Sequence, residues 1–227
     1  MKFRPIFSFL GILLLLCGVP GLLFAQDAEP DAYDVKFYGL DVEVPGSGGF
    51  GEIRGSTTIL LEVTGDALDT LYLDLHGGLF VSKVLVDGEE KTYIHDRSEL
   101  IIDLETPRDR GSLLTAQVFY VGDAGEGFTT ETDANWNVPV TFTLSEPFYA
   151  KDWFACKEDL GDKADSVHVF ITTDYGMKAV SNGLLTATTY FPNGKVRYEW
   201  KSNYPIAYYL ISLAVADYTE YNIEARV

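Results

Sequence analysis

The sequence predicts an all-β fold, and three observations support that prediction. Apolar and polar residues alternate with a period of two along most of the chain, as expected for strands with one buried face. Gly, Asn and Asp residues separate these runs at short intervals, and no stretch of helical period extends beyond a few turns. Short strands without long intervening helices indicate stacked, mostly antiparallel sheets, so we expect a β-sandwich or a saddle.

The first half of the chain contains a strand with one interruption and a clear turn signal. The apolar positions of the strand that begins at Tyr33 change parity at Phe37, which predicts a β-bulge or bend there. The pair Asp87-Gly88 predicts a tight hairpin turn, because both residues tolerate positive φ. One face of a strand between these features is formed by Leu71, Leu73 and Leu75.

The second half contains a further hairpin signal and two segments without strand periodicity. Asn193-Gly194 precedes a regularly alternating run, which predicts a tight turn and a half-buried strand. Residues 122–139 predict a long loop, in which Trp136 either packs on its own sheet or closes over a partner surface. Residues 156–165 form either a short helical turn or a polar loop.

The amino-terminal residues 1–25 have the layout of a secretory signal peptide. Lys2 and Arg4 are followed by an uncharged apolar run that ends at Ala25, before polar residues. The run approaches the length of a membrane span, so a retained anchor is the alternative, and membrane contact is expected only in that case. With cleavage after Ala25, residues 26–227 form one secreted or periplasmic domain.

Charge and cysteine content narrow the range of functions. The chain has 17 Lys and Arg residues against 34 Asp and Glu residues, a formal net charge of −17 at pH 7. This acidity argues against binding to nucleic acid or to an anionic membrane, and it reflects a solvated acidic surface or attracts cationic peptides. Cys156 is the single cysteine of residues 26–227, and it is expected to be a small buried hydrophobe rather than a nucleophile. A solvated acidic edge without a calcium-loop pattern is predicted for Glu158, Asp159, Asp162 and Asp165.

The candidate binding residue is Glu146, which follows a strand-like run at residues 138–144 and precedes Pro147. Proline disfavours the helical region for the residue before it, so Glu146 is expected to be extended at the end of the strand. Its carboxylate can accept charge-assisted hydrogen bonds from an ammonium group, and the free N-terminus of a peptide is such a group. The aromatic residues close to it, which either line a peptide site or belong to the core, are Phe148, Tyr149, Trp153 and Phe154.

The segment at residues 142–166 resembles a segment of the aminopeptidase N-type (gluzincin) zinc metallo-aminopeptidases. In that family a Gln or Glu precedes Pro or Ala, and an Ala-Arg pair, a Pro-Cys and a Lys-Ala follow. The matching residues here are Glu146, Pro147, Ala150, Lys151, Cys156, Lys163 and Ala164. This sequence differs from the family pattern at three positions: Lys151 replaces Arg, Ala155 replaces the Pro before Cys, and Leu160 replaces a later Pro. Further similar blocks lie at residues 51–63, 71–88, 179–185 and 204–218.

The resemblance implies a fold, a residue role and a partner. The fold is the saddle-shaped, mostly antiparallel amino-terminal β domain of that family, and the role is binding of the substrate's α-amino group by Glu146. The family's zinc lies in a following catalytic domain with a Gly-Ala-Met-Glu-Asn strand and a His-Glu-x-x-His helix, which offers two imidazoles to zinc and a Glu as general base. That domain is the missing partner, and we expect the enzyme's chain to continue past Val227.

No metal site or cofactor is expected in this chain itself. Its three histidines, His76, His95 and His168, begin no His-Glu-x-x-His motif. The spacing from His95 to Glu99 superficially suggests a ligand pair, but zinc needs three or four converging protein ligands. The chain alone is therefore expected to be inactive as a peptidase.

Two functions fit these observations. The first is the amino-terminal domain of an exported zinc aminopeptidase that removes N-terminal residues from peptides, in which this domain recognises the α-amine of the substrate. The alternative is a non-catalytic secreted β-domain that acts as a peptide-binding or scaffolding module.

Overall fold

The computed structural model describes residues 32–46, 52–134 and 137–221. The expected signal peptide at residues 1–25 and the side chain of Trp136 lie outside these ranges. Within them, the chain forms seventeen β-strands and two short 3₁₀ turns. None of the helical segments in this part of the chain has the length and apolarity needed to cross a bilayer. The all-β prediction is confirmed.

The strands are numbered in chain order. Those of the first half are β1 (Tyr33–Glu43), β2 (Glu52–Val63), β3 (Ala67–Asp74), β4 (Leu79–Val86), β5 (Glu89–Glu90), β6 (Tyr93–Asp96), β7 (Glu99–Asp109) and β8 (Leu113–Asp123). Those of the second half are β9 (Phe128–Thr132), β10 (Pro139–Thr143), β11 (Lys163–Ala164), β12 (Ser166–Asp174), β13 (Lys178–Ser181), β14 (Leu184–Tyr190), β15 (Lys195–Ser202), β16 (Ile206–Ala207) and β17 (Leu213–Ala216). The two 3₁₀ turns are Ala150–Asp152 and Tyr208–Leu210.

Four sheets are formed, and the largest has eight strands in the order β14-β15-β12-β1-β2-β8-β4-β5. The smaller sheets have the orders β13-β17-β10-β9, β3-β7-β6 and β11-β16. Strands β1 and β12 pair in parallel, whereas the other strand pairs of the described residues are antiparallel. The prediction of mostly antiparallel, stacked sheets is therefore confirmed.

The predicted bulge in the first strand is present. The register between β1 and β2 shifts between Val35 and Phe37. The shift lets Val35 and Tyr38 both face the interior, with 1% and 2% of their surface exposed, although residues three positions apart in a regular strand face opposite sides. A single core face therefore continues along the whole strand.

Both predicted hairpin turns occur, with different geometries. Asp87 (φ 52°) and Gly88 (φ 84°) both adopt positive φ between β4 and β5, as a two-residue type I′ turn requires. In the hairpin of β14 and β15, the backbone N–H of Gly194 donates to the carbonyl of Phe191 at 3.2 Å. There only Gly194 has positive φ, because Pro192 at the second position favours an ordinary type I turn.

Residues 122–139 contain a strand, so the prediction of a long loop is wrong for part of this segment. Strand β9 pairs with β10 from Phe128 opposite Thr143 to Thr132 opposite Pro139. Its sequence, FTTET, has one buried apolar residue, Phe128, so apolar alternation gives no signal. Residues 156–165 contain no helical turn, and the 3₁₀ turn lies earlier, at Ala150–Asp152.

One apolar core joins the sheets. Its fully buried members include Leu40, Ile59 and Val118 of the eight-stranded sheet, Leu71, Leu100 and Ile102 of the three-stranded sheet, and Trp153 and Phe154 of the segment after β10. This segment thus connects the candidate binding residue, Glu146, to the centre of the molecule.

Leu71→Ala should lower the free energy of unfolding by about 2–5 kcal/mol, because it leaves a cavity at a fully buried position. The measurement is the urea midpoint at constant m-value. Leu184→Ala is the matched control, since Leu184 lies on edge strand β14 and is 76% exposed. Its effect should stay within about 0.5 kcal/mol. Equal effects of the two changes would contradict the assignment of the core face.

Candidate functional site

Glu146 lies in the connection between β10 and the 3₁₀ turn Ala150–Asp152. Its side chain is exposed, and the peptide bond that joins it to Pro147 is cis. Across residues 32–46, 52–134 and 137–221, the carboxylate of Glu146 has no hydrogen-bond or ion-pair partner. It is therefore free to accept hydrogen bonds from a ligand.

The four aromatic residues that follow Glu146 separate into two pairs. Phe148 and Tyr149 are 47% and 42% exposed. Trp153 and Phe154 are fully buried, with ring centroids 4.6 Å apart in an edge-to-face arrangement. The first pair and Leu144, which is 61% exposed, are exposed apolar residues close to Glu146 in the chain, and we call these three residues the rim. The second pair belongs to the core.

The residue before Glu146 is held by Trp153. The indole Nε1 of Trp153 donates to Ser145 Oγ at 3.0 Å, and both side chains are buried. The carbonyl of Ser145 also accepts from the backbone N–H of Tyr149 at 3.0 Å. The buried indole thus fixes the start of the turn that carries Glu146.

The residue after Glu146 is held from the other 3₁₀ turn. The hydroxyl of Tyr208 donates to the carbonyl of Pro147 at 2.6 Å. Burial raises the pKa of the Tyr208 phenol, so the hydroxyl stays protonated and remains a donor at neutral pH.

The next residue along, Phe148, is held by a lysine. Lys151 Nζ donates to the carbonyl of Phe148 at 3.0 Å and pairs with Glu158. Burial lowers the pKa of Lys151, but the hydrogen bond and negative charge of Glu158 outweigh it, so the pKa is raised and the amine stays charged. Glu158 in turn accepts from the backbone N–H of Lys151 at 3.0 Å, and its own N–H donates to Asp74 Oδ2 at 2.9 Å.

The connection from β8 to β9 packs against the same turn. Asp152, which is 5% exposed, accepts from the backbone N–H of Gly127 through Oδ2 and from that of Gly125 through its carbonyl, each at 2.9 Å. A Cβ atom on Gly127 would lie 2.3 Å from the carbonyl oxygen of Tyr149. The close approach of the two backbones therefore requires glycine at this position.

Two of these positioning residues carry no local signal in the sequence. They are Asp152 and Tyr208, whose partners are 25 and 61 residues away in the chain. The glycine spacing of Gly122, Gly125 and Gly127 is the one feature that could have indicated a close backbone contact.

The prediction of a solvated acidic edge is wrong for two of its four residues. The side chains of Glu158 and Asp162 are 5% and 6% exposed. Asp162 pairs with Lys157 at 2.7 Å and accepts from the backbone N–H of Val35. Both carboxylates are thus structural, because each is buried with a lysine and further hydrogen bonds.

Cys156 and His95 have structural surroundings. Cys156 is fully buried and exchanges backbone hydrogen bonds with Asp74, at 2.7 and 3.0 Å, which confirms the prediction of a buried cysteine. Burial raises the pKa of its thiol. His95 Nε2 lies 2.9 Å from the carbonyl of Leu75. Among the residues with described positions, no group of three or more His, Cys, Asp and Glu side chains is arranged to hold a metal ion.

Comparison with known proteins identifies the fold. Neither a protein-family model nor a curated protein sequence matches this chain. The M1 zinc metallopeptidase of Deinococcus radiodurans, as a mutant bound to a Tyr-Ser-Ala substrate, matches with a TM-score of 0.71 and 23% identity. Native yeast LTA4 hydrolase matches with a TM-score of 0.66 and 21% identity. This chain has the fold of the matched part of these M1 zinc metallopeptidases.

The M1 match extends over most of this chain but over less than half of its relatives. It covers 81% of this chain and 42% of the Deinococcus enzyme, and 83% of this chain and 30% of yeast LTA4 hydrolase. A two-domain M1 zinc metallopeptidase mutant bound to L-arginine gives the same coverage as the first, with a TM-score of 0.71 and 22% identity. The resemblance seen in the sequence is thus confirmed at the level of the fold.

Gly127→Ala should destabilise the M1-like domain, because the new methyl group would overlap the backbone of Tyr149. Overpacking of this kind costs about 1–3 kcal/mol, which thermal unfolding would detect. Gly161→Ala is the control, since Gly161 is exposed and its added Cβ would meet only the end of the Asp159 side chain, at 3.3 Å. Indistinguishable melting temperatures for the two variants would show that the contact between β9 and the Glu146 turn is not close-packed.

Proposed function

We propose that this chain is the amino-terminal domain of an exported zinc aminopeptidase, and that Glu146 binds the α-amino group of the peptide substrate. One observation carries the proposal. Glu146 is an exposed carboxylate without a partner among the described residues, and the residues on both sides of it are held by buried groups. A structural carboxylate would be paired, as Asp162 is.

Charge complementarity supports an ammonium group as the ligand. A carboxylate accepts charge-assisted hydrogen bonds, and an α-ammonium group offers three donors. An internal peptide nitrogen has no charge and only one N–H donor, so the same carboxylate would select chain ends. The acidic net charge of −17 favours the approach of cationic groups.

The rim supports a second domain as the partner. Leu144, Phe148 and Tyr149 are exposed next to Glu146. A domain that covered them would exclude water from the carboxylate and strengthen its attraction for an ammonium group. The M1 relatives are longer than this chain, which spans 42% of the Deinococcus enzyme, so they have room for such a domain.

Peptide hydrolysis would belong to that second domain. The described residues contain no cluster that fits zinc, so they would contribute substrate binding and not the metal chemistry. The Tyr-Ser-Ala substrate of the Deinococcus relative supports peptides as the substrate class. The signal-like residues 1–25 support export to the periplasm or the medium.

Glu146→Gln tests the binding role in the polypeptide that joins this domain to its zinc-binding domain. A charge-assisted hydrogen bond contributes about 1.5–3 kcal/mol, so KM for an aminoacyl anilide should rise about 10- to 100-fold with a smaller change in kcat. Glu90→Gln, at an exposed position on β5, is the matched control and should leave KM unchanged. An unchanged KM for Glu146→Gln would refute the assignment.

The gene itself distinguishes the enzyme from a peptide-binding or scaffolding module. Translation of the nucleotide sequence past Val227 should continue in frame to a His-Glu-x-x-His motif. A stop codon directly after Val227 would contradict the enzyme and favour the module.

Purified chain of residues 26–227 should contain far less than one zinc ion per molecule by atomic absorption, because its described residues offer no cluster of ligands. The longer polypeptide, prepared in the same buffer, should contain about one zinc ion, as a catalytic site requires. Stoichiometric zinc in the short chain would show that the metal site lies in this domain.

A further inference from the structure

Lys151 is placed to control the turn that carries Glu146. Its ammonium group donates to the carbonyl of Phe148, two residues after Glu146, at 3.0 Å. The side chain is 25% exposed and its partner Glu158 is 5% exposed, so the pair is largely removed from solvent. A change at Lys151 would therefore reach the Glu146 turn through one hydrogen bond.

Glu158 connects this lysine to the core. Its backbone N–H donates to Asp74 Oδ2 at 2.9 Å, and the backbone of Asp74 pairs with Cys156. A continuous series of contacts thus runs from Asp74 through Glu158 and Lys151 to the carbonyl of Phe148. Strand β3, where Asp74 lies, is part of the three-stranded sheet, which gives the connection a rigid base.

The ion pair with Glu158 also keeps the Lys151 ammonium group engaged. An ammonium group of the protein that paired with Glu146 would compete with the ammonium group of a peptide for that carboxylate. Glu158 occupies the Lys151 ammonium, and Glu146 has no partner within the described ranges. The ion pair therefore lets a cation brace the turn while Glu146 stays available.

We propose that Lys151 is a positioning residue, which, together with Glu158, holds the Glu146 carboxylate in the orientation that binds a peptide ammonium group. This inference rests on the proposed binding role of Glu146. It adds that affinity depends on a lysine that does not touch the ligand. Small displacements of a binding group cost affinity, so loss of the brace should weaken binding of free N-termini without removing it.

The test is a double-mutant cycle between Lys151→Met and Glu146→Gln in the polypeptide that includes the zinc-binding domain. KM and kcat are measured with an aminoacyl anilide. Lys151→Met alone should raise KM about tenfold, and in the Glu146→Gln background it should raise KM less than about twofold, because the carboxylate that it positions is already absent. Lys151→Arg should restore most of the affinity, since a guanidinium can donate to Phe148 and Glu158.

Lys36→Met is the matched control. Lys36 is 29% exposed and also pairs with two carboxylates, Asp34 and Glu62, but it lies on β1. Its loss should change KM less than about twofold in either background. A similar rise in KM for Lys36→Met and Lys151→Met would overturn the proposal, because the effect would then be general to the domain.

The outcomes separate this inference from the proposed function. If Glu146→Gln raises KM and Lys151→Met does not, the positioning role of Lys151 is refuted and the binding role of Glu146 is supported. If the two effects on KM add in the double variant, Lys151 acts independently of Glu146 and its positioning role is refuted as well. If Glu146→Gln leaves KM unchanged, both the binding role of Glu146 and the positioning role of Lys151 are refuted.

A second variant keeps the test decisive if Lys151→Met does not fold. Glu158→Gln keeps the shape of the side chain and removes the negative charge that holds the Lys151 ammonium group in place beside the carbonyl of Phe148. It should raise KM for the anilide about tenfold, and this effect too should disappear in the Glu146→Gln background. An unchanged KM for a folded Glu158→Gln variant would overturn the proposal.

Discussion

Burial of Trp153 and Phe154 is the constraint on which the candidate site depends. These two rings are fully buried, and Phe154 meets Tyr38 of β1 edge to face, with centroids 5.7 Å apart. Large aromatic side chains contribute strongly to a core, so the chain cannot leave this path without losing that burial. The turn that carries Glu146 is thereby held against the largest sheet, and Trp153 fixes Ser145 directly.

Buried ion pairs add to the constraint that apolar packing places on the segment after β10. Lys157 pairs with Asp162 and donates to the carbonyl of Tyr33 at 2.7 Å, and Lys151 pairs with Glu158. Desolvation makes such pairs weak contributors to net stability, but removal of one partner leaves a costly buried charge. Both pairs therefore oppose a change in the path of this segment. Glu146 takes part in neither pair.

The M1-like fold by itself does not establish a reaction, because function resides in particular sites. The proposed binding of peptide N-termini rests on the contrast between the carboxylates of this domain. Glu158, Asp162 and Asp152 have buried side chains with hydrogen bonds. Glu146 is exposed on a turn whose adjacent carbonyls, those of Pro147 and Phe148, accept side-chain hydrogen bonds. A carboxylate that lies on a fixed turn and has no partner among the described residues is a candidate for binding a ligand.

The pattern of residues along the chain predicts the class of fold correctly, and it also identifies Glu146 as the candidate binding residue. Local patterns were sufficient where the cause is local: the parity change at Phe37, the positive φ of Asp87 and Gly88, and the strand that ends before Glu146. Strand β9 was missed because FTTET has one buried apolar residue, so its pairing with β10 and not its composition makes it a strand.

The side chains that hold the candidate turn are brought together by contacts between distant parts of the chain. Tyr208 and Pro147 are 61 residues apart, and Asp152 and Gly127 are 25 apart. No periodicity relates residues so distant in the chain. For the same reason Glu158 and Asp162 resembled solvated acids in the sequence, since burial depends on the elements that fold over a residue and not on its neighbours in the chain.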